Sequence, residues 1–159
     1  MTKDTHRIIA LWALRNFNLK RDEERSFLMG STLADFIPFY AFKQHYPQES
    51  MEHVLTRDKR DISLFGLGAL SHLVSDFLCT PHFNNWRLYS SDAVRHIKFE
   101  KKLEEIACGF SFPSFKLTGK TININQEIKG LYEFAGEDYE DNLRAAYYAS
   151  SLMLENFTR

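Results

Sequence analysis

Residues 66–100 read GLGALSHLVSDFLCTPHFNNWRLYSSDAVRHIKFE, and this stretch decides the fold. It holds two pairs of polar residues at a spacing of four, His72 with Asp76 and His96 with Glu100. Side chains four residues apart lie on one face of a helix, about one turn apart, so both members of a pair can reach one metal ion. The stretch therefore predicts two helices, each carrying a pair of potential metal ligands.

The residues around His72 indicate that the first of these helices is buried. Its flanking positions are almost all apolar, and a helix that is apolar on every side belongs in a protein core. A histidine and an aspartate buried there cost several kcal/mol unless they pair with each other or bind a cation. In the second pair, His96 and Glu100 share a face with Phe99 and Leu103, so this pair also points inward. A hydrogen-bonded core pair is the simpler alternative for either one, but two inward pairs together favour metal ligands.

The composition limits the class of protein. The 159 residues suffice for one domain with a sizeable core, and 44% of them are hydrophobic, as in soluble globular proteins. The net charge of −1 provides no basic footprint for an extended nucleic-acid surface. No apolar run is long enough for a transmembrane segment, and two cysteines do not make a disulfide framework. We expect a cytoplasmic protein, since no signal peptide is evident, unless the chain is the trimmed form of a secreted one. The oligomeric state stays open.

The rest of the chain predicts an all-α class, with a single domain over residues 1–159 built as a bundle of six or seven helices. The predicted helices lie at 6–17, at 22–34, near His53, before Pro81, from a cap at Ser90 or Ser91 to about 108, up to about Phe134 and at 138–157. Residues 110–125 break the helical pattern, because Ile122 and Ile124 alternate with asparagines. This alternation favours a short hairpin, and an extended surface loop fits equally well.

Histidine and acidic residues that could hold a metal occur at several places between residues 6 and 100. These candidates are His6, Asp35, His45, His53, His72, Asp76, His82, His96 and Glu100. Nitrogen and carboxylate ligands without thiolates suit catalytic zinc, and the candidates are numerous enough for two or three ions. Metal ions about 3.5–4 Å apart serve phosphodiester hydrolysis, in which a metal-bound hydroxide attacks phosphorus. The ligand set therefore predicts a metal-dependent phosphodiesterase.

The order and spacing of these residues resemble the zinc-dependent phospholipase C family. That family includes bacterial phospholipase C and the catalytic domain of clostridial alpha-toxin, with the single-strand-specific zinc nucleases as more distant relatives. The resemblance lies in H-R-I-I-A at His6, G-S-T-L-A-D ending at Asp35, F-K-Q-H-Y-P around His45, S-H-x-x-x-D at His72, T-P-H at His82 and H-x-x-x-E at His96. It covers about residues 5–105 and implies a helical, phospholipase C-like hydrolase acting on a phospholipid or a small phosphodiester.

Carried onto this sequence, the resemblance implies three zinc positions. The first would be held by Asp35, His45 and His72, with Asp76 as a bridge to the second. The second would be held by Asp76 and His6, and the third by His82, His96 and Glu100. The resemblance also implies that Asp35 is the general base, so Asp35 and Asp76 are the predicted catalytic residues. His53 remains an alternative to His45 as a ligand.

The chain departs from the family pattern at its start. Secreted members use the amino group and carbonyl of an N-terminal tryptophan beside the first histidine, whereas this sequence begins MTKDTH. The second metal position is therefore short of ligands, and Asp4, solvent or the amine of Thr2 are candidates to complete it. The chain is also shorter than the secreted enzymes, so the loops that shape a headgroup pocket differ. A nuclease or other phosphoester hydrolase of the same fold, and a non-catalytic zinc-stabilised module, stay open as alternatives.

Overall fold

The computed structural model describes residues 1–36, 62–88, 90–116, 124–134, 136 and 138–158. These residues form seven α-helices: α1 (Lys3–Leu14), α2 (Arg21–Leu33), α3 (Leu64–Phe77), α4 (Thr80–Phe83), α5 (Ala93–Gly109), α6 (Ile124–Phe134) and α7 (Tyr139–Phe157). A short 3-10 helix, Ala34–Phe36, extends α2. Within the described ranges there is no strand, which confirms the all-α class. No helix in them is long and apolar enough to cross a membrane.

Helix α3 is the centre of the fold. Its N-terminus is capped by Ser63, whose side-chain oxygen accepts a hydrogen bond of 3.2 Å from the backbone N–H of Gly66. Every residue from Gly66 to Phe77 is buried, as the apolar surroundings of His72 predicted. The helix packs against α2 and α7, and α1 in turn packs against both of these. The polar residues of α3 are thus enclosed by helices on several sides.

Helices α2 and α3 cross closely at two glycines. A Cβ atom on Gly30 would lie 2.0 Å from the carbonyl oxygen of Phe65, and one on Gly68 would lie 2.1 Å from that of Phe27. Both obstacles are backbone atoms of the facing helix, so no side-chain rotation can relieve the clash. The two glycines therefore set the distance between α2 and α3, and with it the distance from α2 to the polar residues of α3.

We expect Gly68→Ala to lower the free energy of unfolding by about 3 kcal/mol or more, because the helices must separate to admit the methyl group. Gly130→Ala on α6 is the matched control, since a Cβ there meets no atom within 4 Å. That control should be neutral or stabilising by up to about 1 kcal/mol, as expected for alanine in a helix. Urea unfolding of both variants measures the difference. Equal midpoints would contradict the close crossing.

The structure corrects the predicted start of α1. The helix begins at Lys3 rather than near His6, because Thr2 is its N-cap and accepts a hydrogen bond of 3.2 Å from the backbone N–H of Thr5. The predicted start near His6 is therefore wrong. The correction adds one helical turn before His6 and carries the start of the chain toward α3.

The segment between α5 and α6 is not the predicted hairpin where the structure describes it. Residues 110–116 are neither helix nor strand, and Ile124 opens α6 instead of a second strand. The aromatic ring of Phe112 is buried against Tyr147, with the ring centroids 5.0 Å apart. The Tyr147 hydroxyl also donates a hydrogen bond of 2.8 Å to the Pro113 carbonyl. Contacts with α7 thus hold residues 110–116 as a loop; residues 117–123 lie outside the described part.

Candidate metal centre

The first group of candidate ligands joins α1 to α3. It consists of His6, His72 and Asp76, all buried, with one ligand atom from each lying within 4.8 Å of the others. The His6 and His72 rings stack with centroids 3.7 Å apart. Asp76 turns a different oxygen toward each ring: Oδ1 lies 3.1 Å from His6 Nε2, and Oδ2 lies 3.4 Å from His72 Nε2. One carboxylate is thus shared between histidines of two helices, which is the geometry that a bridging ligand requires.

The second group joins α4 to α5 and consists of His82, His96 and Glu100. Glu100 Oε1 lies 2.9 Å from His96 Nε2 and 3.2 Å from His82 Nε2. Its side chain is 17% exposed, so solvent reaches this side of the centre. His82 Nε2 also lies 3.7 Å from Asp76 Oδ1 of the first group. The two groups therefore form one continuous centre.

Helix α4 is held in place by α7. The backbone N–H of Thr80 donates a hydrogen bond of 2.6 Å to Oδ1 of the buried Asn142. The Asn142 amide nitrogen in turn donates to the Gly136 carbonyl at 2.9 Å. Pro81 occupies the first turn of α4, where its missing N–H costs no helical hydrogen bond. These contacts fix the short helix that carries His82.

Backbone carbonyls orient two of the histidines. His72 Nδ1–H donates to the Ser31 carbonyl of α2 at 2.9 Å, which leaves the Nε2 lone pair facing Asp35 Oδ1 at 3.1 Å. His96 is held in the same way, with Nδ1–H donating to the Trp86 carbonyl and Nε2 facing a carboxylate oxygen. A lone pair and a carboxylate oxygen so close together repel each other unless a cation lies between them. That cation is either a second proton on the ring or a metal ion, and ligand histidines in proteins are held by such hydrogen bonds.

The donor set fits zinc. Atoms bound to one tetrahedral zinc at 2.0–2.1 Å lie about 3.3 Å apart. The nitrogen–oxygen separations within the two groups run from 2.9 to 3.4 Å. Both ring nitrogens of His6 are buried, and within the described residues neither makes a hydrogen bond of normal geometry. Such a buried nitrogen costs about 1–3 kcal/mol, a cost that coordination to a metal would remove.

The surrounding charges keep both buried carboxylates ionised. Burial raises the pKa of Asp76, but the nearby amine of Met1 and the neighbouring histidines, His82 first, outweigh burial and hold that pKa well below its usual value. Burial likewise raises the pKa of Glu100. The same amine and hydrogen bonds from His82 and His96 outweigh burial there and lower the pKa. The centre therefore presents two negative charges in a largely buried site that solvent reaches at Glu100, and such a site attracts cations.

The histidines of the first group differ in their pKa shifts. Burial, together with repulsion from His72, lowers the pKa of His6 to about 4, so His6 is neutral at pH 7. Burial also lowers the pKa of His72, but attraction to Asp76 and the hydrogen bond with Asp35 outweigh it and raise this pKa. A neutral imidazole is the form that binds metal, so His6 is ready to act as a ligand.

An amino group lies between the two groups. The nitrogen of Met1 is 2.5 Å from Asp76 Oδ1, 2.8 Å from Glu100 Oε1 and 3.4 Å from His82 Nε2. Burial lowers the pKa of this amine, but the charges of Asp76 and Glu100 outweigh burial and raise it well above its usual value. Asp4, which the sequence suggested as an extra ligand, is exposed on α1. The amine therefore places a positively charged nitrogen between the carboxylates of Asp76 and Glu100.

The structure brings together every predicted ligand that it describes. These are His6, Asp35, His72, Asp76, His82, His96 and Glu100. Asp35 lies at the mouth of the centre, with a side chain that is 42% exposed. His45 and His53 lie outside the described residues, so the choice between them stays a prediction. Sequence reasoning missed the amine of Met1 and the carbonyls of Ser31 and Trp86. The only sequence signal for the Met1 amine is the use of an N-terminal amine as a ligand in the family that the sequence resembles. The positions of backbone carbonyls leave no signal in a sequence.

Comparison with known proteins agrees with this geometry. A sequence model of the family described as zinc dependent phospholipase C matches residues 5–150. No curated protein and no solved structure matches the chain. The match extends from just before His6 to the last helix and includes all the candidate ligands. The chain therefore belongs to the zinc-dependent phospholipase C family.

Proposed function

We propose that this protein is a zinc-dependent phosphodiesterase that hydrolyses phospholipids to diacylglycerol and a phosphorylated headgroup. The observation that carries the proposal is the position of Asp76, which turns one oxygen toward His6 and the other toward His72. A carboxylate shared in this way can hold two metal ions close enough to act on one phosphate group. Membership of the zinc-dependent phospholipase C family supports the hydrolase class and a lipid substrate.

The proposed roles follow from the two groups. His6, Asp35, His72 and Asp76 would hold metal on the side of α1 and α3, and His82, His96 and Glu100 would hold it on the side of α4 and α5. Bound zinc supplies Lewis-acid charge that neutralises phosphate oxygens and makes water a better nucleophile. The carbonyls behind His72 and His96 keep the Nε2 atoms pointing into the centre. The apolar surroundings of α3 exclude bulk water from behind the ligands.

Asp35 is the proposed general base. Its carboxylate touches the centre through His72, at 3.1 Å, and yet is 42% exposed, unlike the buried Asp76. A base must reach both the attacking water and the solvent that finally takes the proton, and Asp35 meets this geometric condition. Asp35 also remains a candidate ligand, because one of its oxygens faces the ring nitrogen.

The proposal is tested by metal analysis and turnover of the purified protein. We expect two or three zinc ions per chain and hydrolysis of both a short-chain phosphatidylcholine and bis(4-nitrophenyl) phosphate. A fully zinc-loaded protein that hydrolyses neither substrate would refute the proposal and favour a non-catalytic zinc-stabilised module. Faster hydrolysis of single-stranded nucleic acid than of lipid would favour the nuclease alternative instead.

Single substitutions should separate the two groups. We expect His96→Ala and Glu100→Ala to remove one metal ion per chain and His72→Ala to remove a different one, because the three residues divide between the groups. Metal content by mass spectrometry, with turnover on the soluble diester, measures the effect. Lys102→Ala on the exposed side of α5 is the control and should keep the full metal content. An equal metal count in all four variants would show that the ligand assignment is wrong.

A further inference from the structure

One outward face of α5 combines exposed apolar side chains. Val94 and Ile97 are 63% and 46% exposed, and Leu88, just before the helix, is 50% exposed. Among the described residues, only seven large apolar side chains are exposed, and three of the seven lie between Leu88 and Ile97. Single exposed apolar residues are ordinary, but a cluster indicates contact with another surface.

Cations share this face with the apolar residues. Lys98 and Lys101 follow Val94 by four and seven positions, so all three lie on the same side of α5, and both lysines are exposed. The chain as a whole has a net charge of −1. Residues 87–102 nevertheless contain five lysines and arginines against two acidic residues, one of which, Glu100, points into the metal centre. The face is therefore basic along the N-terminal half of α5, whereas the exposed Glu105, four residues after Lys101, lies at its other end.

A recess opens at the edge of the same face. Arg95, Lys98, Trp86 and Phe99 are among the residues that line a cavity of about 550 Å³. The guanidinium of Arg95 lies 3.8 Å from the centre of the Trp86 ring. Cations at the rim and aromatic rings in the wall suit an anionic group that is attached to an apolar body.

The face is close to the metal centre. Ile97 and Glu100 are three residues apart on α5, which places them about one helical turn from each other. Glu100 is the partly exposed ligand of the second group. A surface that meets Ile97 would therefore lie beside the solvent-reachable side of the centre.

We propose that this face, formed by Val94, Arg95, Ile97, Lys98 and Lys101, docks the protein on membranes that contain anionic phospholipid. Charge complementarity selects the occupant, because lysines and arginines beside a bilayer are attracted to anionic headgroups. The exposed apolar side chains enter the boundary between headgroups and acyl chains, as in helices that lie in a membrane interface. The docking deepens the proposed function, since it would bring the metal centre to a lipid substrate.

The test measures binding to vesicles of phosphatidylcholine alone and of phosphatidylcholine with 30% phosphatidylglycerol. We expect wild-type protein to sediment with the anionic vesicles and much less with the neutral ones. Lys98→Glu with Lys101→Glu should weaken binding to anionic vesicles by about thirtyfold or more, as expected for the loss of two cations near the surface. Val94→Ser with Ile97→Ser should weaken it by about tenfold, because less apolar surface leaves water.

Matched controls lie on another face. Leu11 and Met29 are 40% and 41% exposed, and Arg21 and Arg25 are exposed nearby, but three acidic residues lie between these arginines. Leu11→Ser with Met29→Ser, and Arg21→Glu with Arg25→Glu, should bind vesicles as the wild type does. Equal binding to both vesicle types, binding to neither, or equal losses in the control pairs would overturn the proposal. An absence of binding to either vesicle type would instead favour an acidic protein as the partner.

Turnover separates this inference from the proposed function. The Lys98→Glu, Lys101→Glu pair should hydrolyse a soluble short-chain phosphatidylcholine at the wild-type rate and vesicle lipid more slowly. Weaker vesicle binding in a protein that hydrolyses neither substrate would support docking and refute the proposed function. Unchanged vesicle binding in a variant with normal hydrolysis would refute docking and leave the proposed function standing.

Discussion

Asp76→Asn should lower the turnover of a phosphodiester substrate at least about a thousandfold and leave the helical content unchanged. The substitution keeps the shape and one oxygen of the side chain but removes the charge and the second oxygen. Asp76 offers separate oxygens to His6 and His72, so asparagine cannot hold two ions in the same way. Loss of the metal's stabilising charge is worth several kcal/mol in the transition state, and each 1.4 kcal/mol is about tenfold in rate.

The measurements for this variant are circular dichroism, metal content and turnover on both the short-chain lipid and the bis-aryl diester. Asp22→Asn is the matched control, because Asp22 is exposed in the first turn of α2 and lies in neither group of ligands. The control should lose at most a few tenths of a kcal/mol of helix stability and no turnover. Wild-type turnover by Asp76→Asn with its metal content intact would show that no bridging carboxylate is needed.

The spacing of four residues predicts much of the site because helix geometry is regular. Two side chains four apart on a buried helix must share a face, so the sequence alone places His72 and Asp76 together. The same reasoning applies to His96 and Glu100, which the structure places 2.9 Å apart. What the spacing cannot predict is that Asp76 meets a histidine of another helix. That contact depends on how α1 packs on α3.

The parts that sequence reasoning missed depend on backbone atoms. The close crossing of α2 and α3 at Gly30 and Gly68 brings the Ser31 carbonyl to His72, but the type of a residue does not show where its carbonyl lies.

The predicted hairpin is a different kind of miss. The alternation at Ile122 and Ile124 favours a hairpin, and Ile124 opens a helix instead. Short alternating runs are weak signals, since tertiary packing overrides local preference.

Removal of metal should lower the melting temperature by about 8–16 °C. A ligand that binds only the native state at a thousand times its dissociation constant stabilises it by about 4 kcal/mol, and each kcal/mol is worth about 2–4 °C in a domain of this size. The centre gives a physical reason for a large effect. Without metal, the buried nitrogens of His6 make no normal hydrogen bond within the described residues, and only the Met1 amine and the neighbouring histidines balance the charges of Asp76 and Glu100.

Thermal unfolding followed by circular dichroism, with and without chelator, measures this shift, and added zinc should restore it. The control is the Asp76→Ala, Glu100→Ala double variant, which lacks a carboxylate in each group and should respond little to chelator. The melting temperature of this double variant without metal also shows whether the two buried carboxylates stabilise or destabilise the metal-free protein. If the double variant without metal melts above the metal-free wild type, the carboxylates are destabilising in the absence of a cation, as expected for ligands held ready for metal. An unchanged melting temperature of the wild type, with metal loss verified, would mean that the two groups are hydrogen-bonded core pairs rather than a metal centre.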